Sequence, residues 1–294
     1  MGPMARTVRD LATLLDGMVG YDPEDPLTAL GVGKAPEGYT QLLDKNGLKG
    51  ARIGILREPI GQDSEPESED FKKVAAVFEK DVAELKASDA VVIDPVVIPN
   101  LRELLAKHAR NTAISDEALK VWLARNPDSP FRTREDIRNS PEVDKIFPPT
   151  KAAEWKSPRR EPNLLQYGEY LMARQRLLIA LTKVMADHRL DAIVHKSVEH
   201  QPTLIKDGTN PPYVSGKGVP TLNTFLVYVP SITVPSGFTS DNLPVGITFL
   251  GRPYSETTLL KLAYSYEQNT HHRIPPKSTP ALPSRDSEQK RGLP

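Results

Sequence analysis

The densest group of side chains able to do chemistry lies at His195, Glu199 and His200. Imidazole and carboxylate groups bind zinc and transfer protons, so this trio could serve metal-assisted hydrolysis or general acid–base catalysis. Its spacing misses the zinc-hydrolase pattern His-x-x-Glu-His by one residue, and on a helix the ligands would not face one centre. We therefore expect a solvated or pocket-lining group. We interpret His271 and His272, near the end of the last helix, as side chains that interact with its dipole, and we predict neither a metal site nor a cofactor. A metal hydrolase acting through His195 and His200 stays open as a minor alternative.

Other arrangements for nucleophilic catalysis are weaker still. The chain has no Gly-x-Ser-x-Gly elbow, and it has no cysteine to act as a nucleophile, a metal ligand or half of a disulfide. Ser231 and Ser236 adjoin prolines, and we interpret them as turn and strand-end hydroxyls. Ser287 and Lys290 have Ser-x-x-Lys spacing but lie in a tail that we expect to be disordered. The segment 215–218 is glycine-rich but lacks the spacing of a phosphate-binding loop.

Composition excludes several classes of protein. The 294 residues include 38 basic and 38 acidic side chains, and this balance argues against a dedicated nucleic-acid or anionic-membrane protein. No apolar run approaches the roughly 18 residues of a membrane helix, and no signal peptide is recognisable, so we expect a cytoplasmic protein. The 28 prolines predict many irregular connections between elements.

The elements that would position these residues follow an α/β order. Thr7 is a suitable cap for a first helix, and a strand–helix–strand pattern over residues 51–93 predicts a parallel pair joined by a right-handed crossover. A helix is predicted to open at Asn100, with the helical pattern resuming to about Leu123, and another begins after Asn163. Further predictions are an irregular proline-rich insertion at about 127–162, a strand at 191–194, a loop at 201–219, a strand bent at Pro230 over 225–234, a strand at 244–250, a last helix at 256–269 and a disordered tail at 275–294.

Two stretches carry a resemblance to a known family. The first is Gly2-Pro3-Met4-Ala5-Arg6-Thr7 with its continuation to Ala12, followed after the helix by Gly20-Tyr21-Asp22-Pro23. The second runs from Pro230 through Thr239 and from Leu243 to Pro253, and ends in Leu259-Leu260 with Glu267. In this order and separation the stretches resemble the amidase signature family of hydrolases. The resemblance is weak between about residues 100 and 215.

The resemblance implies both a fold and a reaction. It implies an α/β domain with one mixed β-sheet flanked by helices. Members of the family cleave carboxylic amides through an acyl-enzyme, with a serine nucleophile, a second serine on a cis peptide, and a lysine base. In the family these residues precede the Gly-Pro-Met-Ala-Arg segment, which here begins at Gly2. We therefore expect residues 1–274 to form an incomplete domain that lacks its N-terminal part, carries no catalytic residue and is inactive alone. The alternative is a catalytically silent, amidase-like binding or association protein.

The resemblance also suggests residues of a substrate pocket. Many members have a pattern similar to Asn-x-x-Gly-x-Pro that ends at the proline equivalent to Pro230. In this sequence Phe225 stands at the asparagine position and Tyr228 at the glycine position. Two rings in these places predict a narrower or more apolar acyl pocket, which argues against glutamine amidotransferase activity. Asn223 could supply the amide, and His195 could line the pocket. The predicted substrate-binding residues are thus Asn223, Phe225, Tyr228 and His195, and the predicted ligand is a small-molecule amide.

The expected missing part has consequences for partners. Without it, the strands around Ile53, Ile193 and Ile232 should present unpaired edges and an apolar face. The chain should then associate with a second copy of itself or with a chain that supplies the N-terminal part. Nucleic acid and membrane are not among the expected partners.

Overall fold

The fold is built on a mixed β-sheet, seen in a computed structural model that describes residues 2–108, 112–157, 163–210, 216–226, 229–276 and 278. The strands are β1 (Arg52–Leu56), β2 (Val91–Val96), β3 (Ala192–Lys196), β4 (Ser231–Phe238) and β5 (Pro244–Leu250). They lie side by side in the order β2-β1-β3-β5-β4. β1 pairs in parallel with β2 and with β3, whereas β5 runs antiparallel to β3 and to β4. A mixed α/β sheet flanked by helices is the predicted fold class.

Helices cover both faces of this sheet. They are α1 (Val8–Met18), α2 (Glu69–Ala87), α3 (Leu101–Ala106), α4 (Thr112–Arg125), α5 (Arg134–Arg138), α6 (Pro141–Ile146), α7 (Pro149–Lys156), α8 (Leu164–Asp187), α9 (Ile205–Thr209), α10 (Leu222–Phe225) and α11 (Glu256–Thr270). Short 3₁₀ turns span Pro26–Gly31 and Thr40–Leu42. None of the helices among the described residues has the length and apolar character needed to cross a membrane.

The alternation of side chains along the strands divides the core into two layers. Ala192 and Val194 of β3 face a layer that also contains Tyr266 of α11. Ile193, between them, faces the opposite layer, which contains Leu177 of α8. Because the central strands are buried on both faces, their sequences are continuous apolar runs, as expected for the parallel part of an α/β sheet.

Several element predictions are confirmed. The β1-α2-β2 unit is parallel, and Asn163 caps α8 by accepting a hydrogen bond from the Gln166 N–H at 3.0 Å. Thr7 caps α1 in the same way through the Asp10 N–H. The helical pattern predicted from Asn100 to about Leu123 forms two helices, α3 and α4, and residues 109–111 between them lie outside the described part. Most of the predicted tail also lies outside it.

The bent strand predicted over residues 225–234 is correct for 231–234 and wrong for its start. Phe225 ends α10, and strand β4 begins only at Ser231. The strand contains Pro235, which cannot donate to a ladder, and its register with β5 shifts between Pro235 and Gly237. Proline is tolerated there because β4 lies at the edge of the sheet.

Unpaired edges were predicted for the strands around Ile53, Ile193 and Ile232, and the prediction is correct only for the last of them. The strands that contain Ile53 and Ile193 are central and have neighbours on both sides. They are covered because β2 and β5, both encoded in this chain, occupy the positions beside them. Only Ile232 lies on an edge strand, β4, whose outer side has no strand partner among the described residues.

Candidate functional site

The carboxyl end of β3 places His195 in the interior of the protein. Its side chain is buried, and Nδ1 donates to the Lys196 carbonyl oxygen at 2.7 Å. A neutral ring that donates through Nδ1 accepts at Nε2, so the Asn223 amide, whose Oδ1 lies 3.4 Å from Nε2, must turn its NH₂ group toward the ring. Burial lowers the pKa of His195, because the charged imidazolium would lose its hydration. The structure therefore brings together the predicted pocket residues His195 and Asn223.

Glu199 lies in the loop after β3 and binds a second loop rather than a substrate. Its carboxylate accepts hydrogen bonds from the backbone N–H groups of Ile60 at 2.7 Å and Gly61 at 3.0 Å, and from the Ser64 hydroxyl. The side chain is only 1% exposed. Charge-assisted bonds to backbone N–H groups are among the stronger ones in proteins, so Glu199 holds the segment 60–64 in place.

His200 points to a different partner. Its Nε2 accepts from the Glu65 N–H at 2.9 Å, and its ring packs edge-on against Phe71 with centroids 5.7 Å apart. A Cβ added to Gly218 would overlap the His200 ring, so the glycine permits the close approach of the two loops. Since His195, Glu199 and His200 each have separate partners, they do not form a metal-ligand set among the described residues.

Lys196 is a buried cation that the sequence patterns did not single out. It ends β3, and its Nζ lies 4.1 Å from the centre of the Phe71 ring. Burial lowers its pKa, while the nearby charges of Glu199 and Glu79 raise it. A lysine directly after an apolar strand is the signal that could have identified it.

Two cavities of the protein differ in their lining. One, of about 640 Å³, opens next to the loop held by Glu199 and includes Gln62, Arg102 and His108 in its lining. Its cation and hydrogen-bonding groups would suit a polar small molecule. The other, of about 510 Å³, is lined mainly by apolar groups from residues 2–5, α1, the start of β4 and α11. The two family-like stretches of the sequence thus meet at one surface, along the open edge of β4.

A second buried polar cluster lies between α2, β4 and the end of α11. We call Asp81, Glu84, Ser236, Tyr266 and His272 the Asp81 cluster. The Tyr266 hydroxyl lies 2.9 Å from Glu84 Oε2 and 3.2 Å from Asp81 Oδ1, and His272 Nε2 lies 2.7 Å from Glu84 Oε2. Asp81 could have been noticed in the sequence, because it occupies the apolar face of α2 defined by Val74, Phe78, Val82 and Leu85.

The remaining predicted residues are only partly described. Phe225 ends α10, but its side chain, like the whole of Tyr228, lies outside the described part. Ser215, Ser287 and Lys290 are also outside it. Their suggested roles therefore stay predictions.

The two predicted hydroxyls lie on β4. Ser231 starts the strand and is exposed, and Ser236 is fully buried inside it. The interpretation as a strand-end hydroxyl is therefore correct for Ser231 and wrong for Ser236. Ser236 faces inward by the ordinary alternation of the strand, on the same face as Ile232 and Val234.

Comparison with known proteins gives a family and a fold. Residues 1–260 match the family model described as Amidase. A probable amidase of Arabidopsis thaliana is 29% identical over 94% of this chain and 49% of its own length. A glutamyl-tRNA(Gln) amidotransferase subunit of Azorhizobium caulinodans is 27% identical over 91% of this chain and 53% of its own length.

The solved structures agree. The native peptide amidase of Stenotrophomonas maltophilia superposes with a TM-score of 0.67 at 30% identity, over 94% of this chain and 54% of the peptide amidase chain. The chain thus spans about half the length of the relatives that it matches.

Proposed function

The chain belongs to the amidase family, and we propose that it forms one part of an amidase-type hydrolase that converts a carboxylic amide to a carboxylic acid and an amine or ammonia. In this proposal the nucleophilic serine, the relay serine and the lysine base come from polypeptide other than this chain. The serine oxygen attacks the amide carbon, the amine leaves with a proton, and water hydrolyses the acyl-enzyme and restores the serine.

The observation that carries the proposal is the open edge of β4 beside the apolar cavity of about 510 Å³. Met4 at this surface is 81% exposed, and Leu14 and Met18 of α1 are 42% and 56% exposed. An unpaired strand next to exposed apolar side chains is a surface that another polypeptide segment would cover. The relatives contain about twice the length of this chain, which supports a second segment of comparable size.

The partner in this proposal is a polypeptide that carries the family's catalytic segment, either within a longer chain or as a separate protein. One group of relatives is named as one component of an amidotransferase, which supports the idea of assembly with other chains. The substrate is a small amide, held in part by Asn223, Phe225, Tyr228 and His195. The pairing of His195 with Asn223 supports this assignment, because a neutral, buried imidazole can position the amide of its partner.

A complementation experiment tests the proposal. Ammonia release from a panel of aliphatic, aryl and peptide amides is measured with the 294-residue chain, with the amino-terminal half of the Stenotrophomonas peptide amidase, and with both together. We expect turnover only in the mixture, at least about 100-fold above either part alone. The matched control is the same mixture with the nucleophilic serine of the added half replaced by alanine, which should be inactive.

Three results would contradict the proposal in different ways. Turnover by the chain alone that a serine reagent abolishes would show that the nucleophile lies within it. A stable complex without turnover would favour the alternative of a catalytically silent association protein. Failure of the two parts to associate, while light scattering shows the chain as a well-behaved monomer, would show that the β4 edge needs no partner.

A further inference from the structure

The Asp81 cluster is chemically unbalanced. Asp81 and Glu84 are one helical turn apart on α2, so both carboxyl groups face the same way. One hydroxyl, that of Tyr266, lies between them at 3.2 and 2.9 Å and can donate its single proton to only one of them at a time. The cluster therefore has more acceptor oxygens than donors.

Two buried oxygens of the cluster have no hydrogen-bond partner. They are Oδ2 of Asp81, in a residue that is 1% exposed, and Oγ of Ser236, in a residue that is fully buried. The side chains of Ser236 and Asp81 are neighbours, yet no hydrogen bond of normal geometry joins them. A buried carboxylate oxygen without a donor is strongly unfavourable unless a proton or a cation neutralises the group.

The same groups fit a metal ion. Ligand atoms of Asp81, Glu84 and His272 all lie within 4.8 Å of one another. Two ligands of one ion with bonds of about 2.0–2.2 Å lie at most about 4.4 Å apart, so a small side-chain adjustment lets one ion contact all three groups. We propose that Asp81, Glu84 and His272 bind one divalent transition-metal ion of the zinc type. Mixed imidazole and carboxylate ligands suit Zn²⁺, and the hydroxyls of Tyr266 and Ser236 would surround the carboxylates as hydrogen-bonding partners.

An ion could enter from solvent through Glu84 and His272, which line a surface cavity of about 710 Å³. Lys80 also lines this cavity, and its Nζ lies 3.6 Å from Glu84 Oε1, the oxygen turned away from Tyr266 and His272. One carboxylate oxygen thus faces a lysine, and the other faces the proposed ion. Once bound, the ion would join α2 to the segment after α11 and stabilise the contact of both with β4.

The site escaped the sequence predictions because its ligands are distant in sequence. The expected absence of a metal rested on the spacing of His195, Glu199 and His200, and on the interpretation of His271 and His272 as side chains that interact with the dipole of the last helix. Asp81, Glu84 and His272 come together because α2 packs against the end of α11, where Tyr266 and His272 contact Glu84.

The test is zinc binding by the full 294-residue chain after dialysis against a chelator. Isothermal titration calorimetry should give one Zn²⁺ per chain with micromolar or tighter affinity, and zinc should raise the Tm. Glu84→Gln and His272→Gln should each weaken binding at least tenfold. His188→Gln, which removes an exposed histidine at the end of α8, is the matched control and should leave the affinity unchanged.

Cobalt gives an independent reading of the ligands. Co²⁺ bound to the wild-type chain should show a visible absorption band that His272→Gln changes or removes. No stoichiometric binding by the folded wild-type chain, or equal affinity in wild type and His272→Gln, would overturn the proposal. If Glu84→Gln does not fold, the His272→Gln titration and the cobalt spectrum decide the question.

Discussion

Two buried carboxyl groups in this protein have opposite surroundings. Glu199 accepts hydrogen bonds from two backbone N–H groups and a hydroxyl, so both oxygens of its carboxylate have donors. Asp81 faces a second carboxyl group, a shared tyrosine hydroxyl and an unpaired serine hydroxyl. Burial raises the pKa of Asp81 to about 7, although Ser236 and Tyr266 act to lower it.

The difference distinguishes a carboxylate that holds a loop in place from one that is able to bind a proton or a cation. A carboxylate that receives backbone N–H bonds stabilises one loop conformation and has little capacity left for a ligand. A carboxylate buried without enough donors must take up a proton or a cation. Burial alone therefore does not identify a functional residue, whereas burial with an unpaired oxygen does point to one.

The largest expected effect comes from removing the satisfied carboxylate. Glu199→Ala leaves the N–H groups of Ile60 and Gly61 without their acceptor in a buried place, and it should lower the free energy of unfolding by about 5 kcal/mol. Urea denaturation followed by circular dichroism measures the change. Glu67→Ala, at an exposed position of the neighbouring loop, is the control and should change stability by no more than about 0.5 kcal/mol. A loss as small as that of the control would show that Glu199 is not an anchor.

The second prediction concerns the pH dependence that Asp81 contributes in metal-free protein. Its pKa is about 7 in the folded state against 3.8 for the free side chain, so the folded state binds the extra proton between these values. Stability from this group is therefore highest at low pH and falls as the pH rises from about 4 through 7, by up to about 4 kcal/mol. Asp81→Asn should remove this fall. The stability of the variant relative to wild type should therefore be higher at pH 8 than at pH 5.

Urea unfolding of both proteins at the two pH values measures that gain. Asp241→Asn is a suitable comparison, because hydrogen bonds from Lys73 and Gln201 lower the pKa of this exposed aspartate. Its substitution should not improve stability at pH 8. If the unfolding free energy of Asp81→Asn depended on pH in the same way as that of wild type, burial would not raise the pKa of Asp81.

The smallest effect, of opposite sign, is expected at His195. Burial lowers its pKa, so the unfolded state takes up a proton that the folded state does not accept as the pH falls below about 6.5. The contribution of His195 to stability is therefore lost on acidification, whereas that of Asp81 grows. His195→Gln should flatten the profile between pH 7 and 5, and His188→Gln, at an exposed position, should not. Identical slopes in wild type and His195→Gln would argue against a neutral, buried imidazole.

Local sequence signals predicted much of the fold. The cap at Asn163, the apolar stripe of α2 and the run at 244–250 each act over a few residues, so they could be recognised one by one. Predictions failed where contacts with distant segments determine the secondary structure. Phe225 ends α10, and β4 begins only at Ser231, where pairing with β5 starts.

The candidate site shows the same division. His195 and Asn223 are each predicted to line a substrate pocket, and His195 Nε2 lies 3.4 Å from Asn223 Oδ1. The partners of Glu199 could not be predicted, since they lie on a loop between β1 and α2 that is remote in the chain. Lys196 and Asp81 carried a weak signal, a charged residue within or directly after an apolar pattern, but the signal does not reveal what surrounds the charge.

The sequence by itself determined the family, through two motif stretches, and the parallel β1-α2-β2 unit, through its alternation of apolar runs. Only the tertiary structure decided which carboxyl groups are satisfied and which are not. The physical reason is that a hydrogen bond depends on distances of about 3 Å between groups that chain order does not bring together. The carboxylate of Glu199 accepts hydrogen bonds from another loop, whereas that of Asp81 lies beside the carboxyl group of Glu84, and that difference gives the candidate metal site.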